Sequence, residues 1–335
     1  MNEPLLKVEQ LTIGYASKRE RVDILKNIGF TVGHGETLGI VGESGCGKSL
    51  TSLAVMGLLA DPLKVQAGAI RYGDTDLAAL SKKQMNRFRG KQISMIFQEP
   101  MTSLNPVFTI GDQIGEAIRT HLDTPKAEVE GQVADLLKLV GIPSPEKRIR
   151  DYPHQLSGGM RQRAMIAMAL SCRPKLLIAD EPTTALDVTI QAQILGLLHD
   201  IRQKTNMSMM FITHDLGVLS QMADRIIVMY GGRIVETADM RSLFEQPLHP
   251  YTQGLWKAIP GKSQAKQRLY NIPGTVPDPR DKTPGCRFAS RCPHAELSCR
   301  ESEPPLLPAA AEHEVACFLY AEKGGGRYEG AAAQS

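Results

Sequence analysis

The sequence predicts an α/β fold, and three features of the chain support this prediction. A glycine-rich turn at residues 42–49 lies between a short apolar run and a segment with helical spacing. Strand-like and helix-like segments alternate from residue 175 to residue 230, after a long stretch of helical pattern at about 111–172. Alternation of this kind builds a sheet that helices cover. We therefore expect an α/β core with a helical insertion between its two halves.

Hydrophobic periodicity places the elements in order along the chain. In the first half, strands are predicted at 4–15, 22–33 and 91–97, and a short strand with a turn at 68–80. The insertion is predicted to contain helices at 111–121, 126–140 and 159–172. In the second half, strands at 175–180, 207–213 and 225–230 alternate with helices at 188–204 and 216–222. The run Leu176–Asp180 is apolar until it ends in an acid, as a central parallel strand does.

Composition changes after about residue 245. Eleven prolines and four of the six cysteines lie in this part of the chain, which shows little periodicity. We predict a first domain at 1–245, whose helical part spans about 99–172, and a C-terminal extension at 246–322. The Gly/Ala-rich end at 323–335 is predicted to be disordered.

Length and charge exclude several classes of protein. The chain has 335 residues, 42% of them hydrophobic, so a sizeable core can form. A net charge of +3 is too small to indicate a nucleic-acid partner. The N-terminus is not a signal peptide, and apolar segments such as Met165–Leu170 are too short to cross a bilayer. We expect a soluble protein, or one attached to a membrane only through a partner.

The glycine-rich turn matches the P-loop pattern G-x-x-x-x-G-K-[ST] and predicts a nucleoside-triphosphate site. Glycines let the loop curl around phosphate, and backbone N–H groups face the anion. Lys48 can reach the β- and γ-phosphates, and Ser49 can offer its hydroxyl to Mg²⁺. The predicted ATP contacts in and beside this loop are Gly42, Glu43, Ser44, Gly45, Cys46, Gly47, Lys48, Ser49 and Leu50.

Two further motifs indicate hydrolysis. Asp180 ends an apolar strand and can hold Mg²⁺, while Glu181 can act as a general base toward water. The segment Leu156–Arg163 has a Ser-Gly-Gly turn that opens a helix, which is a second site suited to an anion. One nucleotide does not need two such sites. Two chains packed head to tail would use both, each supplying its turn to the ATP bound by the other.

Over residues 4 to about 245 the chain resembles the ATP-binding subunits of ABC transporters. The resemblance implies an ABC-type nucleotide-binding domain, with a mixed-sheet core, an antiparallel β subdomain and a helical subdomain. It also implies that Tyr15 stacks on adenine, that Gln98 joins Ser49 and Asp180 as a Mg²⁺ ligand, and that His214 contacts the γ-phosphate beside the catalytic Glu181. The implied trans contacts and D-loop acid are Ser157, Gly158, Gly159, Gln162 and Asp187.

Longer strings resemble the dipeptide and oligopeptide importer subclass. They lie at 98–106, 179–191 and 249–252. This resemblance implies an ATPase that powers peptide import from the cytoplasmic face of the bacterial inner membrane. Its implied partners are a second, paralogous ABC ATPase, two membrane-spanning permeases and an extracytoplasmic solute-binding protein. Importers of nickel, glutathione, opines or sugars share much of these strings and remain alternatives.

Two other classes of function are weighed against the importer. A non-transport ABC ATPase acting on ribosomes or DNA usually fuses two cassettes or inserts a coiled coil, and this chain shows neither pattern. A regulatory module would bind ATP without turnover, and the presence of Glu181 argues against it.

Four cysteines in the extension suggest a bound metal, because the segment is too poor in apolar residues to fold alone. They are Cys286, Cys292, Cys299 and Cys317. Their gaps are wider than those of zinc knuckles and differ from ferredoxin spacings, so spacing does not identify the metal. Resemblance to peptide-importer ATPases with four cysteines implies a [4Fe–4S] cluster. Zn²⁺, with His294 or His313 as a substitute ligand, and free thiols are the alternatives.

Overall fold

Two β-sheets form the framework of this computed structural model. The described parts of the chain are residues 3–16, 20–99, 103–184, 186–258, 271–281 and 283–320.

The strands are, in chain order, β1 (Leu6–Ala16), β2 (Arg21–Val32), β3 (Thr37–Val41), β4 (Lys64–Tyr72), β5 (Thr75–Asp76), β6 (Ile93–Ile96), β7 (Leu176–Asp180), β8 (Ser208–Thr213), β9 (Arg225–Tyr230), β10 (Arg233–Asp239), β11 (Leu307–Ala310) and β12 (His313–Val315). The α-helices are α1 (Lys48–Val55), α2 (Lys82–Met85), α3 (Ile110–His121), α4 (Lys126–Leu139), α5 (Pro145–Arg148), α6 (Gly158–Leu170), α7 (Val188–Thr205), α8 (Leu216–Met222), α9 (Met240–Glu245), α10 (Pro250–Lys257) and α11 (Leu297–Glu301).

The larger sheet is mixed, with the strand order β11-β12-β10-β9-β3-β8-β7-β6. The strands from β9 to β6 pair in parallel, whereas β10, β12 and β11 pair antiparallel at one edge. Strands β3, β7 and β8 are buried along their whole length, because both faces of the sheet are covered. The carboxyl ends of the parallel strands meet at one edge of this sheet, and the predicted P-loop, Asp180 and His214 all lie there.

The smaller sheet is antiparallel, in the order β2-β1-β4-β5. Its inward side chains, such as Ile13 and Leu25, share one apolar core with Leu38 and Ile40 of β3. The smaller sheet therefore covers one face of the larger sheet next to the P-loop. The predicted mixed core and antiparallel β subdomain are both confirmed.

The helical insertion packs against the face of the larger sheet that the smaller sheet does not cover, in a second apolar core. In α3, Ile110, Ile114 and Ile118 recur at every fourth position and are buried in one stripe. Helix α3 begins at a capping box in which Thr109 Oγ1 accepts from the N–H of Asp112 at 3.1 Å. Helices α3 and α4 both contact α6, which carries the predicted Ser-Gly-Gly turn at its start. The predicted helical subdomain is thereby confirmed.

The C-terminal extension adds two strands to the larger sheet. Strand β12 pairs with β10 in the register Glu236↔Val315, and β11 pairs with β12. The carboxylate of Glu236 is fully buried and accepts hydrogen bonds from the N–H groups of Leu248 and His249, at 2.7 and 2.8 Å. It also contacts Nε2 of His313 at 2.7 Å. One carboxylate thus joins three separate segments of the chain.

The domain boundary at residue 245 stays a prediction. The described part of the extension shares a sheet with the P-loop strand, and it contains elements that the sequence pattern does not reveal, namely α10, α11, β11 and β12. The stretch 323–335, predicted to be disordered, lies outside the described residues, as do residues 100–102 of the string at 98–106.

Candidate nucleotide-binding and hydrolysis site

The P-loop joins the end of β3 to the start of α1. Gly45 and Gly47 have φ values of 79° and 103°, in the left-handed region that favours glycine. A Cβ on Gly47 would lie 2.1 Å from Cδ2 of Leu25, so this position also has no room for a side chain. The first helical residue is Lys48, and the loop therefore leads directly into a helix N-terminus.

Lys48 lies inside the loop and is only 5% exposed. Its Nζ donates to the carbonyl oxygens of Gly42 and Glu43, at 2.8 and 3.2 Å. These two bonds hold the ammonium group against the loop, where the sequence predicts that it meets phosphate.

The other residues predicted to contact ATP in this loop differ in how exposed they are. Ser44 and Gly45 are exposed, whereas Cys46 is buried and Leu50 packs against the apolar core below the loop. The side chains of Cys46 and Leu50 thus serve packing, and their backbone is the part that can face a nucleotide. Tyr15, the predicted adenine contact, is half-buried near the end of β1, where it pairs with Val22.

Ser49 and Asp180 form the predicted Mg²⁺ site. Ser49 Oγ donates to Asp180 Oδ1 at 3.1 Å, although the two residues belong to α1 and β7. Asp180 is 3% exposed. Burial raises its pKa, and the hydrogen bond from Ser49 opposes this effect. Hydroxyl and carboxylate oxygens are the hard ligands that Mg²⁺ prefers, so this pair fits the ion.

Three side chains converge on the carboxylate of Glu181. Its carboxylate accepts from Thr184 Oγ1 at 2.9 Å and from Gln98 Nε2 at 3.1 Å, and lies 3.3 Å from Nδ1 of His214. Burial works to raise the pKa of Glu181, but hydrogen bonds from Thr184 and His214 outweigh it and hold this pKa below the usual glutamate value. The carboxylate is therefore ionised at neutral pH, as a general base must be.

The backbone at Glu181 is unusual. Its φ is 48°, in the left-handed region, which costs a non-glycine residue about 1 kcal/mol or more. Its N–H donates to the carbonyl oxygen of Ile212 at 2.8 Å, and this bond to β8 holds the strained conformation. The carboxylate of this residue contacts Gln98 and His214.

The predicted signature turn begins α6. Ser157 is the N-cap and accepts from the N–H of Met160 at 3.4 Å. Ser157 and Gly158 are exposed, and a Cβ on Gly158 would meet nothing within 4 Å. The turn therefore presents a helix N-terminus to the outside, where backbone N–H groups can meet an anion. A Cβ on Gly159 would lie 3.2 Å from Ile190 of α7.

Gln162 and Asp187 have structural partners within the chain. Gln162 is 2% exposed, and its Nε2 donates to the carbonyl oxygen of Pro182 at 2.5 Å. It thereby ties the signature helix to the segment that carries Glu181. Asp187 caps α7 by accepting from the N–H of Ile190 at 2.9 Å. The predicted D-loop spans residues 184–187, and residue 185 lies outside the described residues.

Sequence reasoning missed the partners of Glu43. Its N–H donates to the hydroxyl oxygen of Tyr251 at 2.8 Å, and its carboxylate accepts two hydrogen bonds from Arg291, at 2.7 and 3.0 Å. Both partners belong to the C-terminal extension. The signal available in the sequence was the string at 249–252, which includes Tyr251 but does not indicate what it contacts.

The four cysteines of the extension line one cavity, together with His249, Phe288 and His294. Burial raises the pKa of Cys286 to about 11 and that of Cys317 to about 12. Across the described chain, no three His, Cys, Asp or Glu side chains are arranged to hold a metal ion. Four thiols on one cavity nevertheless match the donor set of an iron–sulfur cluster. His313, the other proposed zinc ligand, is engaged by Glu236.

Membrane insertion has no candidate in the described residues. None of their helices combines the length and the apolar character needed to span a bilayer.

Comparison with known proteins identifies the family. The chain is 51% identical over 321 residues to the oligopeptide transport ATP-binding protein AppD of Bacillus subtilis (strain 168), and the match covers 96% of this chain and 98% of AppD. It is 49% identical over 313 residues to the dipeptide transport ATP-binding protein DppD of Escherichia coli (strain K12), with 93% and 96% covered. The chain belongs to the ATP-binding proteins of oligopeptide and dipeptide ABC transporters.

Two family sequence models agree with this membership. The ABC transporter model matches residues 25–184, and the model of the oligopeptide/dipeptide transporter C-terminal region matches residues 235–299. The chain is thus an ABC ATPase, for which ATP and Mg²⁺ are the expected ligands.

Solved structures of ABC cassettes share its fold. A dimeric structure of the ATP-binding cassette MJ0796, in a post-hydrolysis state bound to ADP and phosphate, aligns with a TM-score of 0.64 and 26% identity. It covers 70% of this chain and 99% of its own. The cbiO1 protein of Clostridium perfringens, part of the transporter complex cbiONQ, aligns with a TM-score of 0.62 and 27% identity, covering 73% and 92%.

Proposed function

We propose that this chain hydrolyses ATP to power the import of short peptides through a bacterial inner-membrane transporter. The observation that carries the catalytic part is the Glu181 carboxylate, held by Thr184, Gln98 and His214 next to the Ser49–Asp180 pair. The printed names of AppD and DppD, with their extensive coverage, support the peptide class of solute.

The residues divide the chemistry of hydrolysis among them. Lys48 and the loop N–H groups bind the phosphates, while Ser49, Asp180 and Gln98 would hold Mg²⁺, which neutralises phosphate charge. Glu181 would take a proton from the attacking water, because an ionised carboxylate can accept one. His214 contacts the carboxylate of Glu181 and can donate a hydrogen bond to the γ-phosphate.

Two ATPase chains would complete each site. The exposed N-terminus of α6 at Ser157 and Gly158 suits the γ-phosphate of an ATP bound by a facing chain. The dimeric MJ0796 cassette supports this arrangement. Closure makes more contacts with ATP than with ADP, so hydrolysis reopens the pair. The facing chain is proposed to be a paralogous sister ATPase.

Other partners follow from the proposed import. Two permease subunits would form the path through the membrane. The chain would bind to their cytoplasmic face, and an extracytoplasmic solute-binding protein would deliver the peptide. These partners are proposed from the type of transporter named for AppD and DppD.

The four-cysteine cavity is proposed to hold a [4Fe–4S] cluster, with Zn²⁺ as the alternative. The cavity lined by all four thiols supports the proposal. Protein purified without oxygen should be brown and contain iron and labile sulfide. Colourless protein with one equivalent of zinc would establish the alternative, and protein without bound metal would leave free thiols.

Reconstitution tests the proposed function as a whole. The chain, co-purified with its permeases and sister ATPase in proteoliposomes, should show ATPase activity that rises when the loaded binding protein and a dipeptide or oligopeptide are added. Labelled peptide should accumulate inside only with ATP. Stimulation by nickel or a sugar and not by any peptide would contradict the peptide assignment.

A further inference from the structure

An arginine of the cysteine-rich segment reaches the P-loop. Arg291 Nη1 and Nη2 donate to the two carboxylate oxygens of Glu43, at 2.7 and 3.0 Å, across 248 positions of sequence. We propose that Arg291 is a positioning residue of the ATP site, which neutralises Glu43 and fixes the P-loop for triphosphate binding. The proposal rests on ATP binding by this loop, whichever solute is transported.

Arg291 is held rigidly in place. Its side chain is 5% exposed. Besides the pair with Glu43, it donates to the carbonyl oxygens of Pro273 and Ile272, at 2.8 and 3.1 Å, and to the hydroxyl of Tyr230 at 3.2 Å. Its guanidinium also lies 5.6 Å from the centre of the Tyr230 ring. All five N–H donors of the planar guanidinium group are therefore used in hydrogen bonds, and the orientation of the group is fixed.

Glu43 is held from three sides. Arg291 binds its carboxylate, the hydroxyl of Tyr251 accepts from its N–H, and Nζ of Lys48 donates to its carbonyl oxygen. Tyr251 is fully buried and packs on Tyr230, with ring centres 4.6 Å apart. The start of the P-loop is thus attached to a buried group of aromatic rings and one guanidinium.

The negative charge of Glu43 is the reason why its pair with Arg291 should affect ATP binding. Glu43 places a carboxylate within a loop that must accept a triphosphate, and like charges repel one another. The bidentate pair with Arg291 cancels that charge and turns the carboxylate toward the extension. Without Arg291, an unpaired acid would stand beside the phosphates and the loop would lose one of its attachments.

The same short turn links Arg291 to the cysteine cavity. The N–H of Arg291 donates to the carbonyl oxygen of Phe288 at 2.9 Å, and Cys292, the next residue, lines the cavity. Phe288 packs on Tyr251 with ring centres 5.5 Å apart. The position of Arg291 therefore depends on the folding of the cysteine segment.

Binding of MgATP to the purified chain tests the proposal. The measurements use a Glu181→Gln background, so that turnover does not consume the nucleotide. Arg291→Gln should raise the Kd on the order of tenfold, which corresponds to ~1.4 kcal/mol. Arg291→Lys should recover part of the affinity, since an ammonium group cannot form the bidentate pair. Adding Glu43→Gln to Arg291→Gln should restore most of it, because the unpaired carboxylate is then gone.

Arg241→Gln is the matched control. Arg241 also pairs with a glutamate, Glu245 at 2.7 Å, but on the exposed surface. Its loss should leave the Kd of MgATP unchanged. In the assembled transporter, Arg291→Gln should raise the KM for ATP more than it lowers kcat, as loss of ground-state binding does.

Two results would overturn the proposal. One is a wild-type Kd in the Arg291→Gln variant. The other is a raised Kd that Glu43→Gln fails to restore, because Arg291 would then act only through the overall fold. A parent chain that binds no MgATP would refute both this proposal and the proposed function, whereas failure of peptide import would leave these binding measurements intact.

Discussion

Nδ1 of His214 lies 3.3 Å from Oε1 of Glu181, although the residues follow different strands, β8 and β7. The other carboxylate oxygen accepts from Thr184 and Gln98. Each oxygen of the base is thus oriented by its own partners. This arrangement lets the carboxylate keep one direction while its protonation changes, as proton abstraction from water requires.

Replacing Glu181 tests its role as the base. Glu181→Gln keeps the size of the side chain but cannot accept a proton, so kcat for ATP should fall by about 10²-fold or more. MgATP should still bind, and the ATP-bound dimer should accumulate on gel filtration with the sister chain. Glu245→Gln is the matched control, because Glu245 is exposed and pairs with Arg241 at the surface. Normal phosphate release by Glu181→Gln would remove the residue from this role.

Ser49 should determine the Mg²⁺ concentration that the ATPase activity requires. Ser49→Ala removes the hydroxyl that adjoins Asp180 Oδ1, so the Mg²⁺ concentration for half-maximal ATPase activity should rise by roughly tenfold. Ser49→Thr keeps the hydroxyl and should stay close to the wild type, since the P-loop pattern admits either residue. A titration of Mg²⁺ at fixed ATP measures both. Equal Mg²⁺ curves for the alanine variant and the wild type would contradict the assignment.

Glu236 should be important for stability. Glu236→Gln places an NH₂ group among donors that now meet carboxylate oxygens, so the free energy of unfolding should fall by about 3 kcal/mol. Denaturant unfolding measures this change. Glu9→Gln is the control, because Glu9 pairs with Lys7 and Arg71 at the surface, where an ion pair contributes little to stability. Equal losses in the two variants would show that burial does not distinguish these carboxylates.

His249 should make stability depend on pH. Burial lowers the pKa of His249 to about 4, and the nearby Glu236 only partly opposes this. The unfolded chain therefore binds the proton first, and stability should rise with pH between about 4 and 6.5, by on the order of 3 kcal/mol from this residue.

A substitution at His249 checks the sign. His249 Nδ1 accepts from the N–H of Tyr251 at 3.0 Å and so caps α10. Asparagine also caps helices well, so His249→Asn should fold and should flatten the rise in stability between about pH 4 and pH 6.5. An unchanged slope would assign the pH dependence to other groups.

Periodicity predicted most of the strands and helices before residue 245, although it missed β10 and α9. The helix predicted at 216–222 and the strand predicted at 225–230 have the bounds of α8 and β9, because each has buried apolar residues at the spacing of its type. The pattern did not show β11 and β12, which are short and include a proline and exposed residues. These strands depend on pairing with β10 and on the hydrogen bond between His313 and Glu236, and no local pattern encodes such contacts.

The functional site also has parts that the sequence predicted and parts that it did not. Motifs placed Lys48, Ser49, Asp180, Glu181 and His214 at or just after the ends of predicted strands, and the structure brings these positions to one edge of the parallel sheet. The contacts of Glu43 with Tyr251 and Arg291 could not be predicted, since they join positions 208 and 248 residues apart and involve residues of common types. The folding of the extension alone determines them.

Synthesis of the chain on the ribosome gives these long separations a consequence. The P-loop emerges early, but the neighbours of β3 in the sheet, β8 and β9, come from the second half of the chain, and Arg291 comes later still. A nascent or prematurely terminated polypeptide would have the glycine-rich segment without the groups that hold it. We therefore expect a translation product that ends before Arg291 to bind nucleotide more weakly than the full chain.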